Sequence, residues 1–315
     1  MRISVILCTY NRHLYLRKAL DSIAGSALAE STDWEVLVID NNSNDQTPNV
    51  VNEFATRYPG RFRYIFEPQQ GKSRALNTGI RESRGDVLAF VDDDVTVAPT
   101  WLWNLTAGLR NGQWAGAGGR VLPARTFSPP SWLKIESAYA FGPLALFDPR
   151  LEAGQLTEAP LGNNMAFRKE MFENYGGFRT DLGPCPGNEI RSEDSEFADR
   201  LLAAGERLRY EPSAVVHHVV PDNRVRKKYF SDWWYDKARS EMRTFGVPSD
   251  TRWFVAGIPL YLFRRLIVWT LRWMIAVEPA ARFECKLKVW QVAGYISECY
   301  RSSHGGGKHR RLPNA

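Results

Sequence analysis

Short apolar runs alternate with amphipathic segments along the first third of the chain. The apolar runs predict strands at residues 3–8, 34–39, 62–66 and 87–91. The segments between them place apolar residues at helical spacing and predict helices at residues 17–23, 47–58 and 73–83. This alternation predicts a parallel α/β sheet that binds its ligands at the carboxyl edge of the strands.

The pattern is less regular in the middle of the chain. Further strands are predicted at residues 115–121, 163–167 and 214–220, and a helix at residues 192–202. Residues 123–160 are rich in proline and show no clean period, so we expect a long functional loop there. Within that loop, the ring of Trp132 could stack on the flat face of a ligand.

Residues 253–277 are unusually apolar and rich in tryptophan. Their longest uncharged stretch has 11 residues, which is too short for a helix that crosses a membrane. If residues 260–277 are helical, Arg264, Arg265 and Arg272 fall within an arc of about 100° and the rest of the circumference is apolar. This pattern is typical of a helix that lies flat on an anionic membrane surface. A core helix whose arginines extend to solvent is the alternative.

The net charge of +6 is unevenly distributed along the 315 residues. Residues 1–223 hold 23 Lys and Arg against 28 Asp and Glu, whereas residues 224–315 hold 18 against 7, which gives −5 and +11. Anionic lipid or a polyanionic acceptor would suit the basic part. Because it contains no recognisable nucleic-acid-binding module, we expect no nucleic acid partner.

Composition places the chain among ordinary folded proteins, with 44% hydrophobic and 24% charged residues. The four cysteines are scattered, without a CxxC pair, which is typical of a protein in a reducing compartment. Residues 1–8 show no long apolar signal region, so no secretory peptide is expected.

Three consecutive carboxylates, Asp92, Asp93 and Asp94, follow the fourth predicted strand. Such concentrated negative charge is costly unless a cation lies beside it, and a divalent metal with oxygen ligands would satisfy it. If the strand continued, Asp92 and Asp94 would share a face, so that one carboxylate could hold a metal while another contacts the ligand. A solvated acidic turn is the alternative.

Residues suited to a nucleotide lie at the ends of other predicted elements. They are Thr9, Tyr10 and Arg12 after the first strand, Asp40 after the second, and Lys72 and Arg74 before a helix. A hydroxyl and a guanidinium can hold a nucleoside and a phosphate, and two cations beside a helix N-terminus suit a diphosphate. For Asp40 the alternative is a turn-capping carboxylate, and for the two cations a solvated basic turn.

A second acidic site, Glu193 and Asp194, begins the helix predicted at residues 192–202. An acceptor hydroxyl that attacks an activated carbon must lose a proton, and a carboxylate within hydrogen-bond reach can take it. A favourable charge in the first helical turn is the alternative. His217 and His218 follow later, and one neutral imidazole could complete a metal site begun by Asp94. On a strand the two face opposite sides, so only one can face the site.

These motifs occur in an order and at spacings that resemble the family 2 glycosyltransferases over residues 1–230. The residues that carry the resemblance are Cys8-Thr9-Tyr10-Asn11-Arg12, Val38-Ile39-Asp40-Asn41-Asn42-Ser43, Gly71-Lys72-Ser73-Arg74-Ala75-Leu76-Asn77-Thr78-Gly79, Phe90-Val91-Asp92-Asp93-Asp94, Gly162-Asn163-Asn164-Met165-Ala166-Phe167, Gly176-Gly177-Phe178, Glu193-Asp194, and His218 with Arg224. Each motif alone is weak, but their ordered co-occurrence is specific.

The resemblance implies a GT-A fold, which is an α/β architecture with a Rossmann-like mixed sheet flanked by helices. The glycosyltransferase domain, residues 1–230, would have a nucleotide-sugar-binding half up to residue 121 and an acceptor-binding, catalytic half from residue 122. After it we expect an amphipathic helical, membrane-associating extension at residues 231–301 and a disordered basic tail at residues 302–315.

The resemblance also implies roles for individual residues. The nucleotide-sugar site would comprise Thr9, Tyr10, Arg12, Asp40, Lys72, Arg74, Asp92 and Asp93. Asp94 would ligate Mg²⁺ or Mn²⁺, and Asp194 would be the catalytic base. His218 would be the other metal ligand or contact the diphosphate, and it is preferred to His217 because its six-residue spacing to Arg224 matches the family pattern.

The implied activity is a metal-dependent, inverting hexosyl transfer from a nucleotide-sugar, first of all a UDP-sugar, to a hydroxyl of a glycan or lipid-linked acceptor. Such a reaction belongs to the synthesis of a cell-surface polysaccharide or glycolipid. The protein is then expected in the cytoplasm, peripheral on the inner face of the membrane. Residues 253–290 would bind the anionic membrane surface.

Two other functions fit parts of the pattern. A sugar-phosphate nucleotidyltransferase would carry a glycine-rich basic loop directly after the first strand, and residues 9–12 contain no glycine. A non-catalytic lipid- or polyanion-binding protein with a GT-A-like domain would explain the basic part of the chain. That second alternative gives no reason for the acidic sites before it.

Overall fold

The computed structural model describes residues 1–28, 32–124, 127–135, 137–149, 152–185 and 192–304. The strands are β1 (Ile3–Thr9), β2 (Trp34–Asp40), β3 (Phe62–Phe66), β4 (Val87–Asp92), β5 (Val95–Val97), β6 (Gly116–Pro123), β7 (Gly154–Leu156), β8 (Met165–Arg168), β9 (Leu208–His218), β10 (Phe254–Val255) and β11 (Ile258–Pro259). The helices are α1 (His13–Ala24), α2 (Thr47–Arg57), α3 (Lys72–Glu82), α4 (Trp101–Ala107), α5 (Ala138–Leu144), α6 (Lys169–Tyr175), α7 (Glu193–Ala203), α8 (Lys227–Phe245), α9 (Leu260–Ile275) and α10 (Pro279–His304).

The chain divides into two compact units. The first unit comprises Met1–Phe127, Ala145–Asn188 and Glu193–Val219, and the second comprises Ser128–Leu144, Glu189–Ser192 and Val220–Ala315. Helix α8 therefore runs across the domain boundary expected at residue 230. The expected tail at residues 302–315 begins inside α10, and residues 305–315 lie outside the described part of the chain.

The first unit is built on a mixed sheet with the order β3-β2-β1-β4-β8-β6-β9-β5 and with β7 paired to β9. The strands β3, β2, β1 and β4 are parallel to one another, as the sequence predicts. Strand β8 then joins β4 in the antiparallel sense. Almost every residue of β1, β2 and β4 is buried, as expected of strands that are covered on both faces.

Several short elements were not predicted from the sequence. Residues 123–160 were expected to form a long loop, but they contain α5 and β7. Strand β5 has three residues, and α4 and α6 have seven each. Segments of that length contain too few residues to establish a hydrophobic period, so the packing of the neighbouring sheet determines their conformation.

The second unit contains α8, α9 and α10 and the hairpin β10–β11. Its core includes Val247, Ile258, Leu262, Val292 and Cys299, all of which are buried. Among the helices of the described residues, none is both long and apolar enough to cross a membrane.

Candidate functional site

The predicted site residues of the first unit lie at the carboxyl ends of three parallel strands. In the sheet register, Thr9 at the end of β1 pairs with Asp40 at the end of β2. On the other side of β1, Cys8 pairs with Asp92 at the end of β4. The parallel pairing therefore brings residues that are up to 84 positions apart in the chain to one edge of the sheet.

The acid triplet does not continue as a strand. Strand β4 ends at Asp92, and Asp93 and Asp94 form a turn before β5. The expectation that Asp92 and Asp94 share a strand face is therefore wrong. Asp92 instead lies beside Lys72, whereas Asp93 and Asp94 in the turn share Arg12.

Arg12 forms ion pairs with two of these carboxylates. Its Nη1 lies 3.1 Å from Oδ1 of Asp93 and 3.0 Å from Oδ2 of Asp94. Thr9 donates its hydroxyl to Oδ2 of Asp93 at 2.7 Å. Burial raises the pKa of Asp93 to about 7, and the neighbouring Asp94 adds to this rise while Arg12 opposes it. Burial would lower the pKa of Arg12, but Asp93 and Asp94 raise it above its ordinary value, so Arg12 stays charged.

His218 lies beside the same turn. Strand β9 pairs with β5 in the antiparallel sense, which sets His218 opposite Val95. The N–H of Val219 donates to the carbonyl of Asp94 at 3.0 Å and fixes the two chain segments together. As a result Nε2 of His218 lies 3.4 Å from Oδ2 of Asp94. His218 is buried and His217 is half-buried, in keeping with the alternation expected along a strand.

Lys72 connects the two acidic sites that the sequence shows far apart. From the first turn of α3, its Nζ lies 3.0 Å from Oδ1 of Asp92 and 3.7 Å from Oε1 of Glu193. Burial would lower the pKa of Lys72, but the carboxylates of Asp92, Glu193 and Asp194 raise it above its ordinary value. Lys72 is therefore a charged residue between the end of β4 and the start of α7.

Glu193 is the buried member of the second acidic pair. Burial and the adjacent Asp194 raise the pKa of Glu193 to about 7, while Lys72 opposes the rise. Its carboxyl thus titrates in the neutral range, next to the residue proposed as the base.

Asp194 is held by backbone groups on two sides. The N–H of Gly162 donates to its Oδ2 at 2.7 Å, and the N–H of Ser195 donates to its Oδ1 at 2.8 Å. A Cβ atom added to Gly162 would lie 2.6 Å from Oδ2 of Asp194, so a side chain there would displace the carboxylate. Asp194 is only partly buried, so it combines a fixed position with access to solvent.

Asp40 is completely buried, in contrast to Tyr10 and Arg74, which are exposed at the same edge. Its Oδ1 accepts the N–H of Ser43 at 2.9 Å and its Oδ2 accepts the hydroxyl of Tyr64 at 2.7 Å. In this conformation Asp40 therefore shapes the loop after β2 and has no surface with which to contact a ligand. A base that reached it would first have to displace one of these donors.

Two contributions to the site escaped sequence reasoning. Gly162 was part of the Gly162-Asn163-Asn164 motif, but only the folded structure shows that its N–H donates to Asp194. Tyr64 lies in the middle of β3, where the sequence pattern predicts a core residue. In the structure its hydroxyl donates a hydrogen bond to Asp40.

Trp132, which we expected to stack on a sugar, packs within the second unit. Its ring lies edge-on to Phe230 and Phe283, with centroid distances of 5.6 Å and 5.0 Å. Lys227 lies 5.7 Å from the centre of the same ring. These contacts give Trp132 a packing role, and its proposed stacking on a sugar stays a prediction.

A divalent cation fits the donor set at Asp94 and His218. The described residues contain no cluster of three or more His, Cys, Asp or Glu that could hold a metal by protein ligands alone. Magnesium, however, is commonly bound by one or two protein groups together with substrate phosphates and water. A carboxylate oxygen and an imidazole nitrogen 3.4 Å apart match such an incomplete site.

The comparison with protein-family models settles the family. The model described as Glycosyl transferase family 2 matches residues 4–176, which is more than half of the chain. The chain belongs to glycosyltransferase family 2. The resemblance drawn from the sequence motifs is confirmed.

A relative of similar sequence supports this assignment. The probable glycosyltransferase YdaM of Bacillus subtilis is 28% identical over 244 residues, which cover 76% of this chain and 54% of YdaM. The chain thus spans about half the length of that relative.

The fold is shared with solved structures of lower sequence identity. A mannosyltransferase from Pyrobaculum calidifontis, in complex with GDP-Man and Mn²⁺, has a TM-score of 0.57 at 21% identity over 97% of this chain and 76% of its own. TarS 1-349 of S. aureus, in complex with UDP, has a TM-score of 0.53 at 16% identity over 98% of this chain and 93% of its own. These likenesses confirm the predicted mixed α/β fold of the GT-A type.

Proposed function

We propose that this glycosyltransferase moves a sugar from a UDP-sugar to a hydroxyl of a glycan or lipid-linked acceptor, with inversion at the anomeric carbon. The single observation that carries the proposal is the contact of Lys72 with both Asp92 and Glu193, in one compact unit. Because Lys72 spans the two acidic sites, the donor-binding edge and the proposed base, Asp194, belong to one site.

The donor is proposed to bind across the ends of β1, β2 and β4. Arg12, Lys72 and Arg74 supply positive charge for a diphosphate, and the exposed ring of Tyr10 is available to a nucleoside. Thr9 and Asp93 are buried and hydrogen-bonded to each other, which supports a role in positioning Arg12 beside the donor. Asp92 is half-buried beside Lys72 and suits the ribose. We assign Asp40 to the nucleoside loop that it shapes.

Asp94 and His218 would hold Mn²⁺ or Mg²⁺ together with the donor phosphates. When bound, such a cation offsets the negative charge that grows on the leaving diphosphate. Arg12 already lies 3.0 Å from Asp94 and adds a second positive charge at the same edge. The nucleotide-bound neighbours, one with GDP-Man and Mn²⁺ and one with UDP, support a nucleotide donor.

Asp194 is proposed to be the general base. The acceptor oxygen forms a bond to the anomeric carbon as the bond from that carbon to the diphosphate oxygen breaks. The proton of the acceptor hydroxyl passes to a carboxylate oxygen of Asp194, and the diphosphate leaves with the electron pair of the broken bond. Because the attack comes from the face opposite the leaving group, the configuration inverts without a covalent intermediate.

The protein is further proposed to work in the cytoplasm, on the inner face of a membrane. The support is the net charge of +11 in residues 224–315, which favours an anionic surface. A lipid-linked acceptor would be found there.

A panel of UDP-, GDP- and dTDP-sugars, tested with free and lipid-linked glycan acceptors, checks the donor and the stereochemistry. We expect nucleoside diphosphate release to be fastest with a UDP-sugar, and proton NMR of the product to show the inverted anomer. A retained configuration would contradict the direct displacement. If no donor releases a nucleoside diphosphate under any condition, the chain acts as a binding protein and the proposal fails.

A further inference from the structure

Exposed apolar side chains are concentrated in one short part of the second unit. The described part of the chain has 19 exposed large hydrophobic residues, and 10 of them lie between Trp253 and Val277. Scattered exposed apolar residues are normal on a protein surface, but a contiguous concentration marks a surface that another phase or molecule covers.

Helix α9 presents these residues on one face. Leu260, Ile267, Val268, Leu271, Met274 and Ile275 are exposed. At about 100° per residue they fall within an arc of about 120°. We call these six residues the apolar face of α9.

The opposite side of α9 is anchored in the core of the second unit. Leu262 is fully buried, in a cluster with Ile258, Val292 and Cys299, and Leu266 and Trp269 pack against that cluster. The apolar face can therefore meet another surface without any loss of the contacts that hold α9 in place.

Basic residues border the apolar face. Arg264 lies within its arc and Arg265 and Arg272 lie along one edge, and all three are exposed. Lys288 of α10 and Arg272 lie over the ring of Trp269, at 4.0 Å and 4.7 Å from its centre. Long cationic side chains beside an apolar face are suited to lipid phosphates, because their stems are apolar and only their ends need the headgroup layer.

The hairpin β10–β11 extends the same surface. Trp253 precedes it and is 75% exposed, and its carbonyl accepts the N–H of Leu260 at 2.9 Å, so hairpin and helix are joined at this point. Phe254 and Val255 on β10 are exposed as well. Tryptophan is enriched where an apolar phase meets water, since its ring is apolar and its N–H is polar.

Charge favours lipid over a second copy of the chain as the occupant. Between Trp253 and His304 there are seven Lys and Arg against three Asp and Glu. A symmetric dimer on this face would set the arginines of one copy near those of the other. Anionic phospholipids supply the opposite charge instead.

We propose that the apolar face of α9 and the β10–β11 hairpin insert shallowly into an anionic bilayer, with Arg265 and Arg272 at the phosphates. The inference deepens the proposed membrane location by naming the inserted residues. Helix α9 has 16 residues, which at about 1.5 Å each is shorter than the apolar layer, so it lies in the plane of the surface. The membrane is thus bound by apolar insertion as well as by charge.

Vesicle co-sedimentation of the full chain, without any sugar nucleotide, tests the inference. Vesicles of phosphatidylcholine are compared with vesicles that also contain phosphatidylglycerol. A triple variant, Ile267→Ser with Leu271→Ser and Met274→Ser, should bind the anionic vesicles more weakly by about two orders of magnitude. Leu14→Ser on α1 removes an equally exposed leucine and should bind like the wild type. Arg265→Gln with Arg272→Gln should lose the preference for phosphatidylglycerol.

Undiminished binding of the triple variant, at an unchanged melting temperature, would overturn the inference. Binding that disappears when the chain is cut after His304 would place the lipid contact in residues 305–315 and would overturn it too. A third result would also overturn it: the wild type is a dimer in sedimentation analysis, the triple variant is a monomer, and neither protein binds vesicles. Nucleotide release by the triple variant in lipid-free solution should match the wild type, so a failure of lipid binding can be told apart from a failure of the proposed catalysis.

Discussion

The strand-end site of the first unit and the apolar face of α9 in the second depart from the usual distribution of side chains in opposite ways. At the first, Asp93, Asp94 and Glu193 are buried, although carboxylates normally face water. At the second, leucine, isoleucine and methionine face outwards. Buried carboxylates and exposed apolar side chains both lower stability unless other contacts compensate for them. The compensating contacts differ between the two regions.

At the strand-end site the compensation is inside the protein. Arg12 lies against Asp93 and Asp94, and Lys72 lies against Asp92 and Glu193, so part of the acidic charge is offset before any ligand arrives. On α9 the described residues offer no cover for the exposed face, and a partner outside the chain would supply it. If both proposals hold, the catalytic site is assembled in advance, whereas the docking surface is completed only on binding.

The largest effect is expected from Asp194→Asn. Loss of the proposed base should lower turnover by about 10²–10⁴-fold while donor affinity stays close to that of the wild type. Glu196→Gln, which alters a carboxylate in the same helix that pairs with Arg200, is the matched control. Steady-state release of nucleoside diphosphate measures both variants. If Asp194→Asn turns over at the wild-type rate, the base lies elsewhere.

Lys72→Met tests whether the two acidic sites are joined. The variant keeps most of the length of the side chain but leaves Asp92 and Glu193 without their shared cation. Donor affinity should fall about 10- to 100-fold, since a hydrogen bond to a charged group is lost. Lys18→Met, on the exposed side of α1, should bind the donor normally. Equal donor affinities of the two variants in a calorimetric titration would remove Lys72 from the site.

Leucines on opposite sides of α9 should differ in their contribution to stability. Leu262→Ala should lower the free energy of unfolding by about 2–5 kcal/mol, because it leaves a cavity in the second unit. Leu271→Ala should change it by no more than about 0.5 kcal/mol, because that side chain is exposed. Urea denaturation of both variants measures the difference. Similar losses would mean that the outer face is covered in solution.

The smallest effect is a change in pH dependence in Glu193→Gln. The pKa of Glu193 is raised by burial from its ordinary value near 4.5 to about 7, so between these values the folded state keeps a proton that the unfolded state has lost. The wild type therefore loses stability as pH rises through this window, and the glutamine variant lacks that loss. Unfolding in metal-free buffers between about pH 5 and 7 should show the stability of the wild type falling relative to that of the variant as pH rises. A difference that is constant with pH would mean that Glu193 titrates normally.

The repeating part of the fold was accessible to sequence reasoning. The strands that end at Asp92 and Asp40 are largely apolar runs, and the helices between them have one apolar face, so the alternation of elements and the parallel pairing follow from pattern alone. Short elements such as β5 and α6 depend on tertiary packing, which a local pattern does not contain.

The site was predicted in its residue types and less so in its contacts. His218 lies beside Asp94, as the motif spacing favoured. The turn after Asp92, however, was not predicted, and it places Asp92 and Asp94 differently from residues that alternate along a strand. The contact of Lys72 with Glu193 joins residues 121 positions apart, and the burial of Asp40 depends on Tyr64 from a neighbouring strand. Both contacts depend on the tertiary arrangement of the elements, which a local pattern does not contain.

The most direct test is a calorimetric titration of UDP, with and without Mn²⁺, into the wild type, Asp94→Ala and Asp86→Ala. Asp86 lies just before β4, at the end of that strand opposite Asp94, and serves as the control. We expect saturable, Mn²⁺-dependent binding to the wild type and to Asp86→Ala, and its loss in Asp94→Ala. Binding to Asp94→Ala with an unchanged dependence on Mn²⁺, or no binding of UDP to the wild type, would contradict a nucleotide-sugar site at the ends of β1, β2 and β4.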